Sequence, residues 1–245
     1  PWSDIGRKVE RKQSRRELTI DEINTIVNKA EGDLKLLLLL GIYTGMRLGD
    51  CCTLRWAEVD MKRGIILRVP NKTARRSGLP VHIPIHPTLE TVLSISPPSR
   101  RKGLVLPHFA AEYKRNNSNV TGGLREHFTL CGIQVHREGT GGSTDERAVV
   151  EVGFHSLRHS FVSLCRGANT PLAVVEAIVG HSNPAMTRHY THISELAATA
   201  AVAALPALGL SAGEAADDNP KAEIITIPAA KLREIPVSQE VLGAG

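Results

Sequence analysis

Apolar residues along this chain fall into two spacings, and each spacing predicts an element. Ile23, Ile26 and Val27 lie three and four apart behind Thr19 and Glu22, a capping box, so a helix is expected to open just after Thr19. From Asp33 to Thr44 the pattern is apolar almost all round (Leu36 to Leu40, then Ile42), which predicts a buried central helix ended by Gly45 as a left-handed cap. A short helix is expected from Leu48 to Trp56. The run 64–69 (Gly-Ile-Ile-Leu-Arg-Val) and the alternation of Leu79, Val81, Ile83 and Ile85 predict two strands. Between them Pro70 to Gly78 is a polar, basic turn, so the pair reads as a β-hairpin.

Further helices are expected at 87–95, 118–130, 155–166, 171–179 and 184–192, the last two introduced by Thr170-Pro171 and Asn183-Pro184 as cap-plus-proline pairs. Ser194 is placed to cap a final helix ending before Pro206. Gly139, Gly141 and Gly142 between Ile133–Val135 and Ala148–Val152 predict an inserted hairpin over about 132–152. The fold class is therefore mainly α with a small antiparallel β-sheet (α+β).

Composition sharpens this picture without changing it. At 245 residues, 42% hydrophobic, the chain can build one sizeable domain. No apolar run is long enough to span a bilayer, and no secretory signal opens the chain. Pro1 stands where a Met would begin a complete protein, so a fragment is expected. Four cysteines, at 51, 52, 131 and 165, fit neither a zinc spacing nor a disulfide framework and read as buried thiols of a cytoplasmic protein.

The net charge is +5, unevenly spread. Residues 211–245 hold six acids and three bases, leaving 27 bases against 19 acids in residues 1–210. A basic body suits a polyanion, although simple solubility charge explains it as well. Residues 1–17, with Arg15 and Arg16 at their end, read as a basic linker from an upstream domain, crossing near DNA, or as a solvated leader.

Three segments concentrate reactive side chains. In Thr44-Gly45-Met46-Arg47-Leu48-Gly49-Asp50 an arginine sits in a tight turn after a buried helix, suited to fixed bidentate work on an oxyanion; the alternative is a structural arginine paired with Asp50. His155-Ser156-Leu157-Arg158-His159 opens a helix, so His155 and Arg158 share a face next to a helix N-terminus. His155 and His159 have zinc-compatible spacing, but Ser156 stands where a zincin carries Glu, and no metal is assigned. Gly180-His181 is followed nine residues later by Tyr190 on a short polar helix.

Together these segments resemble the tyrosine recombinase and phage integrase family, which includes the Xer resolvases. The family pattern is an arginine in a Thr-Gly-x-Arg-x-x-Glu/Asp turn, a lysine in a β-hairpin, His-x-x-Arg, Gly-His, and a tyrosine nine residues on. Here those positions are Arg47 with Asp50, Lys72, His155 with Arg158, His181 and Tyr190, all in order, within a similarity running from about residue 18 to 205. The resemblance implies that Arg47 and Arg158 clamp a DNA phosphate, that His181 adds a hydrogen bond, and that Tyr190 attacks to give a 3′-phosphotyrosine. It makes His155 the candidate for proton transfer from the phenol and Lys72 the acid for the leaving 5′-oxygen, with Asp50 supporting. Neither a cofactor nor a metal is implied.

The expected organisation is thus a basic linker (1–17), a catalytic domain (18–205) and a C-terminal linker and tail (206–245). The tail, with Ile224, Ile225, Ile227, Leu232 and Ile235, packs either onto a neighbouring protomer or onto its own domain. The implied partners are double-stranded DNA at a recombination site, contacted also by Arg75, Arg76, Arg15 and Arg16; further copies of the chain, as a tetramer on DNA; and accessory DNA-bending proteins. A bacterial, phage or mobile-element origin is implied. The competing readings are a type IB topoisomerase, a DNA-binding relative without catalysis, and a metallohydrolase built on the histidines.

Overall fold

In the computed structural model the chain is described over residues 15–72, 74, 78–138, 140, 148–180 and 195–208. Helix α1 (Ile20–Asn28) opens with the expected capping box: Thr19 Oγ1 accepts from Glu22 N at 3.2 Å, and Glu22 Oε2 accepts from Thr19 N at 2.9 Å. Its Ile23, Ile26 and Val27 face the core. Helix α2 (Gly32–Thr44) is buried continuously from Leu37 to Thr44 and forms the centre of the domain. It ends at Gly45, whose φ of 62° lies in the left-handed region. A Cβ there would also come within 2.7 Å of Phe161, so the turn needs glycine for both conformation and space.

Helix α3 (Leu48–Cys52) is shorter than the expected 48–56. The chain leaves it because tertiary partners take over: Trp56 N donates to Gly103 O, Arg55 bridges Leu104, and residues 56–58 form a single 3₁₀ turn. A strand that the apolar pattern did not predict follows, β1 (Val59–Asp60), and pairs antiparallel with β2 (Ile65–Arg68), which pairs antiparallel with β3 (Val81–Pro84). The order is β1-β2-β3, with Ile66 opposite Ile83 and Arg68 opposite Val81.

Helices α4 (Pro87–Ser94) and α6 (Asn117–Leu130) match expectation, but α5 (Pro107–Arg115) between them was not foreseen. Residues 135–137 and 149–152 lie side by side through a single bridge, His136 with Val150, in place of two strands; residues 139 and 141–147, the expected tip, are outside the described part. Helix α7 (Phe154–Gly167) packs on α2 so closely that a Cβ on Gly41 would lie 2.8 Å from Leu157 and Phe154. Helix α8 (Leu172–Val179) starts one residue later than expected, with Pro171 as its N-cap, and ends at left-handed Gly180. The expected helix 184–192 is outside the described residues.

Helix α9 (Glu195–Ala203) packs on α8 and β3, and the chain beyond it stays attached to the core. The Tyr43 hydroxyl donates to Pro206 O at 3.2 Å and accepts from Leu208 N at 3.1 Å. His86 stacks on Tyr43 with ring centroids 4.1 Å apart, accepts from Thr88 N through Nδ1, and turns Nε2 to Leu205 O at 3.3 Å. Residues 206–208, expected to begin a linker, are therefore part of the packed domain. Cys51, Cys52 and Cys165 are buried free thiols, with Cys131 half-buried. Among the described residues no helix is long and apolar enough to cross a membrane.

Candidate active site

The α2–α7 contact brings two of the three reactive segments together. Arg158 lies one turn into α7 and is buried, 6% exposed. Its Nη1 donates to Gly45 O at 2.6 Å and its Nη2 to Val179 O at 2.9 Å. The two carbonyls belong to the turn before Arg47 and to the end of α8 before His181. One guanidinium thus joins the turn before Arg47 to the end of α8 and, having five N–H donors, keeps others for a ligand. Gly180 continues the convergence: a Cβ on it would lie 3.1 Å from Val81 and 3.3 Å from Pro70, at the base of the β2–β3 hairpin.

Arg47 occupies the N-cap position of α3 and is half-buried. With Arg15 and His155 it lines an open cleft of about 250 Å³. Burial, followed by the charge of Arg47, lowers the Arg158 pKa to about 10, and Asp50 opposes the effect; the group remains a cation at neutral pH. His155 is reached by solvent on one side, yet partial burial and then the charges of His159, Arg158, Arg15 and Arg47 push it down to about 4. The imidazole is therefore neutral at pH 7, with a free lone pair but less basic in this cleft than an ordinary histidine. His159 stands edge-on to it, centroids 4.9 Å apart. Among the described residues no group of three or more His, Cys, Asp or Glu side chains is placed to hold a metal.

Asp50 does not pair with Arg47. It is 3% exposed, accepts from Asn71 N at 2.8 Å and faces Arg68 Nη2 at 3.6 Å. Arg68, buried on β2, escaped the sequence reading. A charged residue inside Gly-Ile-Ile-Leu-Arg-Val was the available signal, because a buried charge demands partners. Its partners are Glu58 at 2.9 Å, Thr53 Oγ1 at 2.7 Å and Asn71 Oδ1 at 3.0 Å. Lys72 follows directly and is exposed.

The two leader arginines separate. Arg16 makes a bidentate contact with Glu22 at 2.7 and 2.8 Å, which lowers the carboxylate's pKa and braces the capping box. Arg15 turns into the cleft instead. Tyr113 on α5 and Asn117 and Thr121 on α6 also line the cleft and were missed: α5 was not foreseen, and the first turns of α6 carried no motif that singled them out. A Cβ on Gly49 would lie 2.7 Å from the Tyr113 hydroxyl, so this glycine lets α5 close on the Arg47 turn. Arg75, Arg76, His181 and Tyr190 lie outside the described residues.

Comparison with known proteins points in one direction. The model of the phage integrase family matches residues 16–196. An integrase/recombinase of Escherichia coli is 25% identical over 239 residues, covering 85% of this chain and 69% of that protein. Tyrosine recombinase XerC of Pediococcus pentosaceus is 27% identical over 176 residues, covering 69% of this chain and 54% of that protein. Among solved structures, the integrase from mycobacterium phage Brujita shares the fold with a TM-score of 0.63 at 16% identity, over 82% of this chain and 62% of its own.

Proposed function

The chain belongs to the phage integrase family, as the catalytic domain of a tyrosine recombinase, and from that premise we propose that it cuts and rejoins DNA in site-specific recombination with Tyr190 as nucleophile. Members of this family are DNA strand-transferring enzymes. The observation that carries the reading is Arg158: a buried guanidinium fixed by two main-chain carbonyls and close enough to feel the charge of Arg47, which with Arg15 and His155 lines an open, basic cleft suited to an anion.

Attack on a phosphodiester spreads negative charge over the phosphoryl oxygens, and preorganised donors stabilise that charge most. Arg47 and Arg158 supply them, with His181 adding a third. The Tyr190 oxygen bonds to phosphorus as its proton passes to His155, and the P–O5′ bond breaks as Lys72 protonates the departing oxygen. A phenol, pKa near ~10, needs such a base and such surroundings to attack at neutral pH. Rejoining runs these steps backward with another strand's 5′-hydroxyl, so the phosphotyrosine keeps the bond energy and neither ATP nor a metal is consumed.

Arg15, Arg75 and Arg76 contact the DNA backbone in this reading, while Arg16 spends its guanidinium on Glu22. The working assembly is a tetramer on double-stranded DNA in the cytoplasm, aided by accessory DNA-bending proteins. Residues 222–242 dock on a neighbouring copy. Incubation with a nicked suicide DNA substrate in the presence of a chelator tests the chemistry. A covalent protein–DNA adduct that disappears in Tyr190→Phe is expected; an adduct that persists in that variant, or that needs a divalent metal, overturns the reading.

A further inference from the structure

We infer that Arg68 and Asn71 are positioning residues for the general acid Lys72, setting its place relative to the Arg47 turn. The inference rests on the role just proposed for Lys72. Asn71 immediately precedes that lysine, and its main-chain N–H and both side-chain amide atoms are held. Its main-chain N–H donates to Asp50 Oδ1 at 2.8 Å, its Oδ1 accepts from Arg68 Nη2 at 3.0 Å, and its Nδ2 donates to Thr53 Oγ1 at 3.2 Å. Thr53 Oγ1 in turn donates to Gly49 O at 2.7 Å. Asp50 and Gly49 belong to α3, the helix that Arg47 caps. The hairpin residue beside Lys72 is therefore tied, through at most one intermediate side chain, to the element that presents Arg47.

Arg68 is the hub of this arrangement. Its Nη1 donates to Thr53 O at 3.3 Å and to both Glu58 carboxylate oxygens at 3.0 and 2.9 Å, while its Nη2 reaches Thr53 Oγ1 and Asn71 Oδ1. Only a planar fork satisfies partners in so many directions; an ammonium on a flexible stem does not. The choice is expensive for folding alone. β2 is otherwise apolar, and a buried ion cluster stabilises a fold no better than packed hydrophobic residues of similar volume. What the cluster does that an apolar residue would not is to fix a polar main-chain position in the turn. Past that position the turn closes through Ala74 N to Pro70 O at 2.9 Å, and Lys72 itself is exposed.

Chemistry gives a readout that separates positioning from mere structural support. A DNA substrate carrying sulfur in place of the bridging 5′-oxygen leaves as a thiolate, which needs no proton. Single-turnover cleavage is measured on oxygen and sulfur substrates at saturating DNA for the unaltered protein, Lys72→Ala, Arg68→Lys and Asn71→Ala. Lys72→Ala is expected to lose ~10²–10⁴-fold on oxygen, the usual worth of a general acid, and to recover on sulfur. Arg68→Lys and Asn71→Ala are expected to lose about 10- to 100-fold on oxygen, a fraction of that same effect, and also to recover on sulfur.

Equal losses on both substrates in these two variants, with Lys72→Ala still rescued, overturn the inference and leave the role of Lys72 standing. Failure of sulfur to rescue Lys72→Ala overturns that role, and the inference with it. Asn71→Ala leaves the Arg68, Glu58 and Asp50 charges in place, so it decides the question alone if Arg68→Lys does not fold.

Discussion

Arg158 is gripped by main chain, whereas Lys72 is placed by side chains acting on the residue before it. On the Arg158 side, two carbonyls accept directly from the guanidinium, and they sit in turns whose glycines, Gly45 and Gly180, both hold a left-handed φ, with Gly45 also crowded by Phe161. On the Lys72 side, Asp50, Thr53 and Arg68 hold Asn71, and the lysine extends beyond them into solvent. The first arrangement is part of the core, so altering it disturbs folding and chemistry together. The second reaches Lys72 only through exposed Asn71, where it can be loosened with little cost to folding, although Arg68 and Asp50 behind it are buried. In the proposed reaction, a group that binds the phosphate throughout benefits from rigidity, while one that meets the leaving oxygen during a single step has to be near without being locked.

The widest test of this contrast is Arg158→Met. Removal of a transition-state donor is expected to slow cleavage by ~10²–10³-fold, and loss of the donor to two buried carbonyls to lower stability by about 1–3 kcal/mol each. A cleavage assay with a urea titration checks both; a slow but fully stable variant would erase the distinction between the two sides. A smaller effect is expected from Gly45→Ala. Its φ of 62° and the close approach of Phe161 should cost about 1–3 kcal/mol, read as a lower unfolding midpoint. An unchanged midpoint would mean that this turn is not tight.

The smallest effect concerns pH. His155 is held near 4 in the fold against about 6.5 in an unfolded chain. Between those values the unfolded state binds the proton and the folded state does not, so stability rises with pH across that window. The contribution is complete above it and lost as the pH falls through it. Imidazole NMR titration should show a midpoint near 4 in the free protein and a higher one when inorganic phosphate or DNA enters the cleft. A midpoint near 6.5 without ligand would mean that the neighbouring cations do not act on this ring.

Much of the architecture was legible because local signals were strong. Thr19 with Glu22 announced α1, the all-round apolar run announced a central α2, and Gly45 announced its end. What failed to show depended on partners distant in sequence. Nothing local says that Trp56 will bond to Gly103 and so cut α3 short, or that a two-residue β1 will form at Val59. Helix α5 did carry a signal, Pro107 ahead of Phe109, Ala110 and Tyr113, but the stripe is short and polar on either side. For the site, motif spacing named Arg47, His155 and Arg158, three side chains that the fold brings close together. It gave Asp50 a supporting role but not its object, because Arg68 and Asn71 belong to a hairpin about twenty residues away.

The anchoring of Tyr43 and His86 to residues 205–208 has a consequence for how the protein is made. Tyr43 bonds to residues 163 and 165 positions downstream, so two buried polar rings in the first half of the chain stay unsatisfied until nearly the last of the packed residues has been synthesised. A chain lacking that stretch leaves the Tyr43 hydroxyl and Nε2 of His86 without these partners, beside the end of the helix that leads into the Arg47 turn. Packing around the end of α2 is therefore completed only after residues 205–208 have joined the core, a closure of long sequence separation that falls late in folding.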